Sequence, residues 1–123
     1  MNNNDKPTRI DSDGCKFWEV DGKLHRENGP AIEAKSGTKV WYINGLQHRD
    51  DGPAMETHCG KKVWFKHGKA HREDGPAVED EVNGLNLKEW WIDGVKYSEQ
   101  EFNFIILQKE LTFNEKGTKK LKI

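Results

Sequence analysis

The chain has no run of about 18 apolar residues, which excludes a membrane-spanning helix. It has only two cysteines, Cys15 and Cys59, and no Cys-x-x-Cys pair. That is too few for a disulfide scaffold and lacks the ligand spacing of a zinc ribbon. Charge of one sign is missing as well. Twenty Lys and Arg face 21 Asp and Glu for a net charge of −1, and the pI is near 6.5. No bulk electrostatic case for nucleic acid or an anionic membrane follows. The opening residues, Met1 to Pro7, have no apolar segment that would read as a signal peptide, so a cytoplasmic location is expected. Hydrophobic and charged residues each make up 33 %, and mean hydropathy is −0.98. Those sums lean toward disorder, but five Trp and five Phe among 123 residues do not belong to a solvated tail. One domain with a thin core is the reading.

What the chain does have is an internal repeat. Trp18–Glu33, Trp41–Glu56 and Trp64–Glu79 align without gaps at a spacing of 23 residues, and a partial fourth unit runs from Trp90 to Tyr97 after 26. Of twelve glycines only Gly117 lies outside the repeated slots. Asp21-Gly22, Asn44-Gly45, His67-Gly68 and Asp93-Gly94 occupy a two-residue turn slot that needs positive φ at both positions, with His67 the weakest fit. A short apolar strand precedes each turn, as in Lys39–Ile43. A second strand carrying His follows it, and Asn28-Gly29-Pro30, Asp51-Gly52-Pro53 or Asp74-Gly75-Pro76 then breaks the ladder. Asn83-Gly84 closes a longer hairpin of Asp80–Val82 with Leu85–Trp91.

The expected fold is therefore mainly β, an antiparallel array of β-hairpin repeats with a C-terminal capping helix. Residues 1–12 read as a flexible N-terminus, 13–97 as four hairpin repeats, and 98–123 as capping helix and tail. Trp18, Trp41, Trp64 and Trp90 are expected to stack as an aromatic ladder that each unit buries against its neighbours. Ser98-Glu99-Gln100-Glu101 is a capping box opening a helix over 99–110, whose apolar face takes Phe102, Ile105, Ile106 and Phe113. Such a helix would close the open end of the sheet. The tail from Lys116 to Ile123 reads as a short strand or loose chain.

The segment Trp-x-x-Asn-Gly-x-x-His resembles the core of the MORN repeat, a β-hairpin unit of the same period, and the resemblance spans residues 14–97. Where that repeat places a glycine after the His, this chain has Arg26, Arg49 or Arg72, then Gly-Pro-Ala. The variant looks like the small His-Arg-x-Asp-Gly-Pro-Ala repeat proteins of bacteriophages and bacteria. The resemblance implies a non-catalytic interaction module of the scaffold or adaptor kind and names no partner.

Several motifs point to chemistry. His48-Arg49-Asp50 spells a kinase triplet, but nothing else of a kinase is present. His25, His48 and His71 form a row in which neighbours about 10 Å apart cannot share one metal ion; each is expected to hydrogen-bond locally and help hold the Gly-Pro turn. His58, Cys59, His67 and His71 lack zinc-site spacing. Arg26, Arg49 and Arg72 either pair with Glu33, Glu56, Glu79 and the turn Asp, or form a basic row for phosphate or carboxylate groups. Lys16, Lys39, Lys62 and Lys88 form a second, solvated row. The Trp ladder either fills the core or stacks nucleic-acid bases. Asp11-Ser12-Asp13-Gly14 lacks the rest of a calcium loop.

Three departures break the repeat: Lys66 where other units have Val or Ile, His67 in its turn, and the insertion around Asp80–Asn83. No catalytic set, metal site or cofactor is expected. The expected function is non-enzymatic binding of a host protein, as a phage-encoded inhibitor or modulator of a host defence factor working in the host cytoplasm. The alternatives are a ligand, nucleic-acid or phosphate binder using the Arg and Trp rows, and a small hydrolase. An open array with free edges also leaves homo-oligomers open.

Overall fold

The structure is a computed structural model that describes residues 6–116, and side chains as far as residue 112. The N-terminal five residues, the Phe113 side chain and the proposed tail strand beyond Lys116 lie outside the described residues. Within them the chain is mainly β, with 15 short strands and one C-terminal helix.

Nine strands form one antiparallel sheet, running from Arg9–Ile10 at one end to Val95–Tyr97 at the other. Its register sorts side chains into two rows, because directly opposed residues share a face. One row is apolar: Phe17, Ile32, Val40, Met55, Val63 and Val78 oppose one another in turn. The other alternates in sign: Lys16, Glu33, Lys39, Glu56, Lys62, Glu79 and Lys88. The row of lysines is thus part of a mixed ladder, four Lys to three Glu, in which every opposed pair is attractive.

The expected continuous strand before each turn is divided at its tryptophan. Lys39–Val40 belongs to the nine-stranded sheet, whereas Tyr42–Ile43 pairs with Leu46–Gln47 in a separate two-stranded ribbon. Trp41 is the switch. Its N–H donates to the Ala54 carbonyl at 2.7 Å, and its own carbonyl accepts from the His48 N–H at 3.1 Å. Trp18 and Trp64 do the same with Ala31 and His25, and with Ala77 and His71. The fourth unit has no Gly-Pro-Ala segment to take up the Trp90 amide, and there Leu85–Ile92 runs as one unbroken strand of eight residues.

Burial also differs from expectation. Ala31, Ala54 and Ala77 are completely buried, joined by Val40, Val63, Ile92, Phe102 and Trp18. Trp41, Trp64 and Trp90 are only half-buried. The three alanines sit where the backbone must reach both ways, each accepting from its own unit's Trp and donating onward to Val40, Val63 or Glu89. A larger side chain has no room there. The tryptophans do not form a ring-on-ring ladder, because an arginine lies over three of them.

All five two-residue turns have positive φ at both central positions, including His67 at 50° and Gly68 at 83°. The helix, Glu99–Lys116, exceeds its expected end by six residues, since no Gly or Pro interrupts it before Gly117. Its capping box is formed: the Glu101 N–H donates to Ser98 Oγ, and the Ser98 N–H to Glu101 Oε1. Phe102 is buried, Ile105 and Ile106 are half-buried, and the helix packs on the last two strands of the sheet.

Candidate functional site

Each repeat arginine lies between its own tryptophan and its own glycine. The guanidinium carbon of Arg26 is 3.8 Å from the Trp18 ring centroid, that of Arg49 3.9 Å from Trp41, and that of Arg72 3.8 Å from Trp64. On the other side, a Cβ built on Gly29 or Gly52 would stand 3.0 Å from that carbon, and one on Gly75 2.9 Å. The glycine slot before Pro therefore exists for close approach, not for a left-handed backbone. One terminal nitrogen of each Arg donates to the carbonyl of Pro30, Pro53 or Pro76 and to Glu33, Glu56 or Glu79. The Nε of Arg49 and Arg72 donates to Asp51 and Asp74, and the Arg72 guanidinium holds the Asp74 carboxyl below its usual range. The arginines are consumed locally, as structural clamps of their own Gly-Pro turns.

The histidines reach further than expected. Nδ1 of His25 accepts the N–H of Asn44 at 2.9 Å, that of His48 the N–H of His67 at 3.0 Å, and that of His71 the N–H of Asp93 at 3.0 Å. Each imidazole thus holds the next unit's turn rather than its own Gly-Pro turn. Because Nδ1 accepts, the neutral ring carries its proton on Nε2. That nitrogen faces the residue two positions on: Glu27 at 3.5 Å, Asp50 at 3.0 Å and Glu73 at 3.2 Å.

These three carboxylates are equivalent by the repeat but differ in what else meets them. Lys66 Nζ donates to Asp50 at 3.0 Å and holds its carboxyl below the usual range. Lys109, from the helix, donates to Glu73 at 3.0 Å with the same effect. Among the described residues, Glu27 meets only His25.

The carboxylates border open grooves between successive units. One, of 660 Å³, lies between the Arg26–Pro30 loop and the next unit's Trp41, Ile43 and His48. A second, of 680 Å³, repeats it 23 residues later between the Arg49–Pro53 loop and Trp64, Lys66 and His71. The exposed rim is acidic: the Glu27, Asp50, Asp51, Glu73 and Asp74 side chains are half or more exposed, while those of the three arginines are between 13 % and 24 % exposed.

The insertion before the fourth unit builds a separate feature. Val78–Val82 pairs with Leu85–Glu89, as the Asn83-Gly84 turn predicts. The neighbouring strands reach only Val78–Glu79 on one side and Trp90–Ile92 on the other. Among the described residues the outer arm, Asp80–Leu87, therefore has both edges unpaired, and Val82, Leu85 and Leu87 are exposed on one of its faces. Two contacts missed in the sequence are those of Lys66 with Asp50 and Lys109 with Glu73. Lys66 signalled itself by breaking the repeat; Lys109 gave no signal, being 36 residues from Glu73.

The looser His and Cys group is not assembled. His58 contacts Thr38 and Cys59, the His67 ring lies tilted against His48 at 4.3 Å, and His71 faces Asp93. Among the described residues no three His, Cys, Asp or Glu gather to hold a metal ion. Asp11 closes its own loop, accepting from the N–H groups of Asp13 and Cys15. No helix in the described residues is long and apolar enough to cross a membrane. No family model, no curated protein and no solved structure matches the chain.

Proposed function

We propose that the chain is a non-enzymatic protein-binding module. The observation that carries the reading is the outer arm Asp80–Leu87, with two unpaired edges and three exposed apolar side chains. An exposed strand edge recruits a partner strand through main-chain hydrogen bonds, and an apolar face beside it gives selectivity. The rest of the array supports this. Its His and Arg side chains are engaged in holding turns and units in place, which makes the array a stiff platform for the arm. The same engagement, with an acidic rim outside it, argues against reading the arginines as a phosphate- or nucleic-acid-binding row.

The partner we propose is a host protein met in the cytoplasm, with the chain acting as a phage-borne inhibitor or modulator. That setting rests on the resemblance of the His-Arg-x-Asp-Gly-Pro-Ala repeat to small phage and bacterial repeat proteins. The test is affinity purification of tagged protein from host lysate, with mass spectrometry. A partner retained by the natural chain and lost with Leu85→Ser plus Leu87→Ser supports the reading. Absence of any partner, or retention by the double variant of everything the natural chain retains, overturns it.

A further inference from the structure

The carboxylate that follows each His-Arg pair recurs three times, and two of the three are met by a lysine ammonium at 3.0 Å. The two lysines come from unrelated places. Lys66 stands on the hairpin strand of the following unit, and Lys109 on the C-terminal helix. Two independent solutions to one position identify the chemistry the position takes: an ammonium donating to a carboxylate that a histidine Nε2 also holds.

The first groove lacks its internal ammonium for a simple reason. The residue aligned with Lys66 is Ile43, which lines that groove as Lys66 lines the next. The rest of the groove corresponds from the Arg26–Pro30 loop to the Trp41 wall, with Glu27 and Asn28 standing where the second groove has Asp50 and Asp51. We propose that the groove between Glu27 and Trp41 receives a lysine side chain from a partner protein, its ammonium on Glu27 and its stem along Trp41 and Ile43.

A stem of four methylenes is what distinguishes lysine from a bare ammonium here. Long cationic side chains cover apolar surface while keeping their charge in water. Asn28 and Asp51 border the same groove, so neighbouring polar groups of the partner's backbone find hydrogen-bonding partners. This assignment rests on the protein-binding reading and gives it a chemical preference: a lysine-bearing segment, laid across the first two units.

The test is titration of isotope-labelled full-length protein with acetyl-(Lys-Gly)3-amide, its Nζ-acetylated form and methylammonium, followed by amide and indole chemical shifts. Shifts at Glu27, Asn28 and the Trp41 indole are expected with the lysine peptide alone. Glu27→Gln is expected to weaken binding about fivefold, the worth of one exposed ammonium–carboxylate pair. Ile43→Lys should abolish it by filling the groove from inside. Lys66→Ile should open the second groove and add shifts at Asp50 and Asp51. Equal shifts on every acidic loop, indifference to both Glu27→Gln and Ile43→Lys, or methylammonium binding as tightly as the peptide would each overturn the assignment. The two proposals fail separately. A partner captured from lysate by the natural chain and by Glu27→Gln alike removes this groove and leaves the module. Specific lysine binding without any captured partner does the reverse.

Discussion

Nδ1 of His48 accepts the backbone N–H of His67, nineteen residues away, at the first position of the next unit's turn. That N–H belongs to a residue at φ 50°, a conformation in which histidine is less at home than asparagine. The imidazole of one repeat thus stabilises the costliest backbone position of the next, and the two rings lie in tilted contact, 4.3 Å apart at 41°. His48→Ala should lower stability by about 0.5–1.5 kcal/mol, the net worth of a hydrogen bond whose exposed amide water can take over. His67→Asn should raise stability slightly, since asparagine enters this turn readily. Urea denaturation of the two variants checks both signs.

Arg26 differs from its two counterparts in one bond. Its buried Nε has no partner, whereas Arg49 and Arg72 donate theirs to Asp51 and Asp74. Asn28, whose neutral amide oxygen is a weaker acceptor than a carboxylate, holds the aspartate slot in the first unit. Asn28→Asp should supply a charged acceptor and stabilise the protein by about 0.5–1 kcal/mol, as an exposed carboxylate bonded to a guanidinium does. Thermal melting of the variant beside the natural chain reads it directly, and the gain should shrink in high salt.

The glycine preceding each Pro makes a sharper test of the clamp. Gly52→Ala places a methyl 3.0 Å from the Arg49 guanidinium carbon and pushes that group off Trp41. A loss of about 1–3 kcal/mol is expected, the range for overpacking. In the background of Arg49→Ala the same change should cost much less, because the obstructed group is gone. A double-mutant cycle measures the coupling, and additivity within error would refute the clamp.

How much of this was legible in the sequence can be judged residue by residue. The turns were, because Asn-Gly and Asp-Gly are local signals whose φ requirement needs no tertiary context, and the 23-residue period carried them through the weak His67 case. The capping box at Ser98 was legible for the same reason. Trp41 as the point where a strand changes partners was not, since its amide is spoken for by Ala54, thirteen residues away. Nor was the burial of Ala31, Ala54 and Ala77, because a small residue after Pro reads as a restart of the chain rather than as its most crowded position. For the candidate site, spacing identified the His and Arg rows and the Arg–Glu pairs. It left out the reach of each imidazole into the next unit, which is a property of stacking distance and not of sequence distance. Lys109 on Glu73 belongs to the same class of contact.

Acid should find the two internal ammonium contacts first. Lys66 holds Asp50, and Lys109 holds Glu73, below the ordinary carboxylate values of 3.8 and 4.5. A carboxyl with a depressed folded-state pKa contributes stability that is present above its unfolded value and is lost as pH falls through the folded one. The loss should therefore begin near pH 4.5 and deepen below it. Both carboxylates are half or more exposed, so solvent screening keeps each contribution below about 1 kcal/mol. Lys66→Met and Lys109→Met should flatten this acid limb without changing the midpoint of urea unfolding at neutral pH by more than that amount. Lys109→Met should also loosen the helix, since its ammonium ties Glu99–Lys116 to the third repeat. Amide exchange across the helix, measured at pH 7 and pH 4 in the natural chain and in Lys109→Met, separates the two effects. Lower protection factors in the variant at pH 7, matched by the natural chain only in acid, are the expected pattern.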